Sequence, residues 1–394
     1  MHGIDNMRNL GEYDTIVKTI ADKIIQLENN RNGLTNILLQ VRDKLNLELI
    51  PNPTLYQDII ESKFVYEVKS LDLYGMQMIG IDGSIISKSL HGVDLLLSRA
   101  VAVLFKFKKA KTEVQYYPNA TPSPRLIYNF DLITTPEIDI LSSLERLQDE
   151  IQLAIEMTDR SPDALLLDGS ILPLMLDKPP TTSILNQKYF NLIEMYETLY
   201  QNCLDKNILL MGIIKDTRST RFMNILGKIL PILLNKIPEL QKIRELDYRP
   251  IIQQTRDATF LFRFLHPGER TFTFKYAESA TKSPILKDFT KRDWNEMIYS
   301  FYLKPVQFDF PTKIEFLAST NPIKYTNQIA SLILPLSNQH AEYGVPSVLI
   351  EADARAHLFE NDLDYIHNSL THFVNRVGFS PLLMKLRRDK RPFR

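Results

Sequence analysis

Met78-Ile79-Gly80-Ile81-Asp82-Gly83-Ser84 and Ala164-Leu165-Leu166-Leu167-Asp168-Gly169-Ser170 decide how this chain is read. Each is a short apolar run that stops at Asp-Gly-Ser and is followed by Ile. Such a run, bounded by a turn signal, predicts a buried strand. Asp-Gly is a turn dipeptide, so each strand is expected to end at its carboxylate. In open α/β sheets ligands gather near strand ends, and two carboxylates so placed point to a metal site. Two copies in one context, in a chain with 13 glycines, weigh against Asp-Gly-Ser being a turn and nothing more. The copies lie 168 − 82 = 86 residues apart, with strands expected after the first and a helix after the second. The repetition is one of chemistry, not of a sequence repeat.

Outward from these strands, residues 100–107 and 113–117 predict two further strands, an antiparallel meander after Asp82. Residues 118–125 predict a loop. Ile140, Leu144, Leu147, Ile151 and Ile155 fall on one face of a helix over 137–158. It leads straight into the strand ending at Asp168, as one αβ unit. A helix over 185–204, a strand over 208–214 ending in Lys215-Asp216, and a helix over 220–235 follow. Phe260, Phe262 and Phe264 alternate against Phe272, Phe274 and Tyr276, predicting a hairpin of 258–265 with 271–276, which 310–316 extends. Helices are expected over 321–334, 348–359 and 363–377. At the start, 12–48 has helical spacing with a break at Asn30-Arg31-Asn32-Gly33. Pro51 to Pro53 ends it, and a second helix-like segment leads to Val65.

The 394 residues carry 47 Lys+Arg and 47 Asp+Glu, so net charge neither demands nor excludes nucleic acid, and any basic surface is local. The single cysteine, Cys203, excludes an intrachain disulfide framework and a cysteine-rich zinc site. Met1 to Asp14 is polar and lacks the apolar core of a signal peptide, so a cytoplasmic location is expected. The longest apolar stretch, 222–237, is interrupted by Lys228, Pro231 and Asn235, so no membrane span is expected. The tail holds Lys385, Arg387, Arg388, Lys390, Arg391 and Arg394. It is read as a disordered chain end, with contact to nucleic-acid phosphates or docking on a partner as the alternatives.

The charged groups at strand ends and on nearby helix faces are Asp82, Asp168, Glu145, Glu150 and Lys215, with Asp353 and His357 four apart on one C-terminal helix. Clustered carboxylates bind hard divalent ions, Mg²⁺ or Mn²⁺ and not zinc. Two such ions activate water and stabilise the leaving oxygen in phosphodiester cleavage, and a lysine beside them orients the nucleophile or neutralises phosphate. There is no Gly-x-x-x-x-Gly-Lys-[Ser/Thr], Gly-x-Gly-x-x-Gly, His-Glu-x-x-His or Gly-x-Ser-x-Gly motif, which lowers the claim of an ATPase, a dinucleotide enzyme, a zinc protease or an α/β-hydrolase.

A strand, a meander, a helix and a second strand, with a carboxylate on each strand, is the pattern of RNase H-like nucleases. In detail the sequence resembles the NurA family, nucleases that work with the HerA translocase. The resemblance rests on Ile81-Asp82-Gly83-Ser84, Leu167-Asp168-Gly169-Ser170, Gly212-Ile213-Ile214-Lys215-Asp216-Thr217-Arg218-Ser219 and Gly344-Val345-Pro346-Ser347-Val348-Leu349-Ile350-Glu351-Ala352-Asp353, over roughly residues 75 to 360.

It implies an α/β fold whose RNase H-like core is a mixed sheet flanked by helices, with N-terminal helices and a β-hairpin and helical elaboration. The corresponding division is an N-terminal helical region over 1–70, the nuclease domain over 71–365, and a helix end and basic tail over 366–394. The resemblance further implies a homodimer with Mn²⁺-dependent (Mg²⁺ as alternative) 5′-to-3′ exonuclease and single-strand endonuclease activity, on single-stranded DNA and duplex ends. The implied partner is a HerA-type hexameric ATPase, in DNA end resection and recombinational repair. Asp82 and Asp168 match the family's metal-binding aspartates, Glu150 its helix glutamate with Glu145 as runner-up, and Lys215 a lysine near the site. Two positions depart. Where many members have Tyr before the C-terminal proline and His seven residues after it, this chain has Val345 and Asp353. Asp353 is expected to replace the histidine as a ligand, with Tyr343 or His357 compensating in part. The competing readings are an adaptor that binds DNA and the ATPase without turnover, and an RNase H-like enzyme acting on RNA.

Overall fold

The computed structural model describes residues 2–50, 57–109, 111–376, 378 and 381–387, and the backbone alone for 2–12. Pro51 to Pro53 and the tail residues Arg388, Lys390, Arg391 and Arg394 lie outside the described residues. The chain opens with α1 (His2–Gln40) and β1 (Val65–Glu67). Then come β2 (Gln77–Ser89), β3 (Asp94–Phe107), β4 (Thr112–Tyr117) and β5 (Arg125–Asn129), followed by α2 (Thr135–Met157), β6 (Ala164–Asp168), α3 (Asn186–Asp205) and β7 (Leu209–Ile214). The second half holds α4 (Arg221–Lys236), α5 (Tyr248–Gln253), α6 (Asp257–Phe264), β8 (Glu269–Thr271) and β9 (Phe274–Lys275). It ends with β10 (Ile298–Lys304), β11 (Thr312–Leu317), α7 (Pro322–Ser337), α8 (Ser347–Ala356) and α9 (Glu360–Asn375).

The strands form one mixed sheet in the order β1-β8-β10-β11-β7-β6-β2-β3-β4, with β5 beside β4 on β3 and β9 on β10. The β2–β6 and β6–β7 pairs are parallel and the other pairs are antiparallel. Helices cover both faces, the α/β arrangement expected. On one face α2 and α3 bury Ile79, Ile81, Ala102, Leu165 and Leu167. The same face at the β8–β10 end carries α4, α6 and the second half of α1, around Phe222, Phe264 and Tyr302. On the other face α7 and α8 pack on Met78, Val101, Val103, Leu166 and Ile213, and α9 packs on Leu95 and Leu97 of β3. Burial on both sides explains why the central strands read as continuous apolar runs.

Several expectations are corrected. The first strand does not end at Asp82. β2 runs on to Ser89 because β3 pairs it without a gap, with Asp82 opposite Val101, Gly83 opposite Ala100 and Ser84 opposite Arg99. Backbone hydrogen bonds to a long partner outweigh the local turn preference of Asp-Gly. The expected hairpin is also absent, since 257–264 is the helix α6. Ala258, Leu261 and Leu265 with Phe260 and Phe264 make a buried helical face, and the period-2 pattern of the phenylalanines was the misleading one. β8 and β9 pair instead with β10, and β8 also with β1. All seven residues of β10 are buried, so it shows no alternation. Residues 57–64 form no helix, and β5 starts at Arg125, the last residue of the expected loop, and continues through 126–129, for which no element was expected. α1 passes through Asn30 to Gly33 unbroken, tied there by Arg31 to Glu28 (2.9 Å) and to the carbonyl of Gln254 (3.0 Å).

Candidate metal centre

The site forms where β2, β6 and β7 lie side by side. Register places Ile81 opposite Leu167 and Asp168 opposite Ile213, so Asp82 and Asp168 are neighbours across the β2–β6 step. Side chains alternate along a strand. Asp82 falls on the face of Met78, Asp168 on that of Leu166, and Lys215 on that of Ile213, which is the α8 face in all three cases. Lys215 Nζ stands 2.6 Å from Asp168 Oδ2. Burial alone would lower the Lys215 ammonium's pKa, but the Asp168 carboxylate beside it raises it.

Glu150 comes from the opposite side of the sheet. α2 lies on the α2–α3 face, and its Glu150 side chain reaches past the backbone of Gly83. A Cβ built on Gly83 would come within 2.6 Å of Glu150 Oε1 and 2.7 Å of its Cγ. Gly83 is a notch, then, and its φ is not in the left-handed region. Gly169 is the opposite case, with φ +122° and nothing near its missing Cβ. It makes the turn that Gly83 does not. Ser170 then fixes the loop from the α3 side through Oγ to Glu315 Oε2 at 2.5 Å, and Lys313 holds the other oxygen of Glu315 at 2.6 Å.

The four carboxylates act on one another. Asp82 is 9% exposed. Burial, then the charges of Asp168, Glu150 and Asp353, push its pKa up to about 8. Burial also pushes Glu150 up to about 7, against the pull of Arg146, with Asp168 and Asp149 adding to the rise. Arg146, one helical turn before Glu150, bonds Oε1 at 2.5 Å. The i, i+4 spacing of Arg146 and Glu150 is the sequence signal for this pair. Asp353 is exposed on α8, which is held close to β2 because Gly80 leaves room for the Val348 carbonyl, 2.8 Å from where a Cβ would be.

Glu145 stands apart. Arg125 (2.8 Å) and Lys188 (2.5 Å) both bind it, and the two cations hold its pKa down against its burial. Glu150 is therefore the α2 carboxylate that faces Asp82. Val345 is buried in the core under α8. Tyr343 is exposed. His357 caps the end of α8, with its ring against Phe359.

The model of the NurA domain matches residues 76–358. The chain belongs to the NurA family. Among solved structures it is similar to the NurA nuclease from Sulfolobus solfataricus, with 15% identity, 91% of this chain and 98% of that one covered, and a TM-score of 0.50. It is also similar to a NurA bound to dAMP and manganese, with 13% identity, 91% and 96% covered, and a TM-score of 0.46. A comparison with curated proteins finds no match. The first likeness supports the fold, and the NurA domain takes in every residue of the carboxylate group from Asp82 to Asp353. No helix among the described residues is long and apolar enough to cross a membrane.

The donors of this NurA site suit a hard divalent ion. Burial and mutual repulsion hold Asp82 and Glu150 toward their protonated forms, and a divalent cation among Asp82, Glu150, Asp168 and Asp353 would relieve that repulsion and favour all four carboxylates ionised, with Arg146 and Lys215 the two cations already paired there. All the candidate donor atoms are carboxylate oxygens, which suit Mn²⁺ or Mg²⁺. Among the described residues no three such side chains already stand at ligand distance of one point. Asp168 and Glu150 are paired instead with Lys215 and Arg146.

Proposed function

We propose that this NurA protein is a metal-dependent deoxyribonuclease that hydrolyses DNA phosphodiesters, with 5′-to-3′ exonuclease and single-strand endonuclease activity. The observation that carries the reading is the convergence of four carboxylates from β2, β6, α2 and α8, the other three all bearing on the buried Asp82. Asp82, Glu150, Asp168 and Asp353 hold the ions, Mn²⁺ first and Mg²⁺ as alternative, in a two-ion site. A divalent ion there supplies Lewis-acid activation of water and charge balance for the phosphate. Lys215 lies within reach of the same carboxylates and places a positive charge on the reacting phosphate. Asp353 takes the part that histidine has in many members. Membership of the family supports a homodimer working with a HerA-type hexameric ATPase in DNA end resection and recombinational repair.

Cleavage of end-labelled single- and double-stranded DNA in Mn²⁺, Mg²⁺ or EDTA tests this, with wild type beside Asp82→Ala and Asp168→Ala. The expected result is cleavage that needs metal and vanishes in both variants. Tight DNA binding with no cleavage in any metal, even with the ATPase added, would overturn it in favour of a non-catalytic adaptor.

A further inference from the structure

On the α8 face, the end of β7 and the strands β6, β2 and β3 each bring one charged side chain to within two residues of the Asp82–Asp168 step. They are Lys215, Asp168, Asp82 and, on β3, Arg99. Arg99 shares the parity of Val101 and Val103, which pack under α8, and of Leu97, which packs under α9. It lies opposite Ser84, two residues beyond Asp82 along β2. Two residues of strand span about 7 Å, close to the reach of one nucleotide. Lys215 likewise lies two residues beyond Ile213, the neighbour of Asp168. The two cations flank the carboxylates from opposite sides, and both are displaced toward the same end of β2, β6 and β7.

They differ in commitment. Lys215 is paired with Asp168, as Arg146 is with Glu150, Lys88 with Asp364 and Arg355 with Glu351. Among the described residues the half-buried Arg99 makes one hydrogen bond, Nη1 to the carbonyl of His357 at 3.1 Å, and no ion pair. Its Nε is buried without a partner. The His357 contact ties the guanidinium to the end of the helix that carries Asp353. An arginine held by one bond, with planar donors left over, suits a phosphate.

We propose that Arg99 holds the phosphate next to the scissile one, on the side of the site away from Lys215, and so sets the register of the DNA strand over the carboxylates. The inference rests on the nuclease reading for what lies beside it. Arg99 is a positioning residue for the cleaved bond and a direct contact for its neighbour.

The test is a methylphosphonate scan. Fluorescein-labelled single strands, each with one neutral methylphosphonate, are bound to wild type, Arg99→Ala and Arg99→Lys in Ca²⁺ and followed by anisotropy. Wild type is expected to lose roughly tenfold to hundredfold at one linkage, the worth of hydrogen bonds to a charged group. Arg99→Ala should show that loss on every strand and no further loss at that linkage. Its slope of log K against log salt should fall by about 0.7, while Arg99→Lys keeps the slope. Metal-dependent hydrolysis of bis(4-nitrophenyl) phosphate, which has no neighbouring phosphate, should be the same in all three. A methylphosphonate profile unchanged in Arg99→Ala, an equal loss on bis(4-nitrophenyl) phosphate, or no strand binding by wild type overturns the inference. Wild type that shows the Arg99-dependent profile but cleaves no DNA in any metal overturns the nuclease reading and leaves Arg99 as a phosphate contact.

Discussion

The two Asp-Gly-Ser copies are the same tripeptide in two backbone states. In β6 the strand ends at Asp168 and Gly169 turns the chain with φ +122°. In β2 the strand continues for seven residues beyond Asp82, and Gly83 gives its side-chain space to Glu150. The serines differ too, Ser170 being bound to Glu315 while Ser84 makes no side-chain hydrogen bond among the described residues. What separates the copies is the neighbouring strand. β2 has an antiparallel partner along its whole length, whereas β6 is paired with β2 as far as Leu167 and with β7 as far as Asp168, with one further bond from the Gly169 N–H to the Ile213 carbonyl (3.0 Å) before the chain turns away. Only the aspartates keep one role, projecting from adjacent strands onto one face.

Removing that shared role should have the largest effect. Asp82→Ala and Asp168→Ala should each cut metal-dependent cleavage by more than about 100-fold, beyond the range for partners of a ligand. An intermediate loss from one of them in an end-labelled strand assay would break the equivalence of the two aspartates.

The glycines should then part. Gly83→Ala should displace Glu150 and cost roughly 10–100-fold in metal affinity or activity, since Gly83 acts on a ligand and not on the ion. Gly83→Ala with wild-type Mn²⁺ affinity by calorimetry would show that the notch is dispensable. Gly169→Ala meets no atom but must hold a positive φ, and should lower stability by about 1–3 kcal/mol in urea unfolding. If instead it left stability unchanged, the turn would be free to adopt another form.

The serines give the smallest pair. Ser170→Ala should cost about 1.5–3 kcal/mol through the lost hydrogen bond to a charged partner. Ser84→Ala should stay within about 0.5 kcal/mol, as surface changes away from such contacts do. Equal melting temperatures for the two variants would erase the distinction.

Much of this was legible beforehand. The antiparallel β2–β3–β4 meander, α2, β6, α3, β7 and the three C-terminal helices follow from apolar runs and helical spacing. The residue types of the centre follow from where those runs stop. Three things were not legible. β10 is buried on both sides and so has no alternation to read. α6 carries a period-2 phenylalanine pattern inside a helical face. Arg99 lies in a strand that reads as core, and its place beside Asp82 depends on the register of β2 with β3.

The sequence by itself determined the two aspartates on apolar strands, the αβ unit between them and the oxygen-rich character of the site, because these depend on local pattern and residue chemistry. The tertiary structure alone decided that Glu150 and not Glu145 faces Asp82. It decided that one glycine is a notch and the other a turn, and that Arg99 and Lys215 flank the carboxylates. Each of these depends on which strand or helix lies alongside, a long-range pairing that no short stretch of chain encodes.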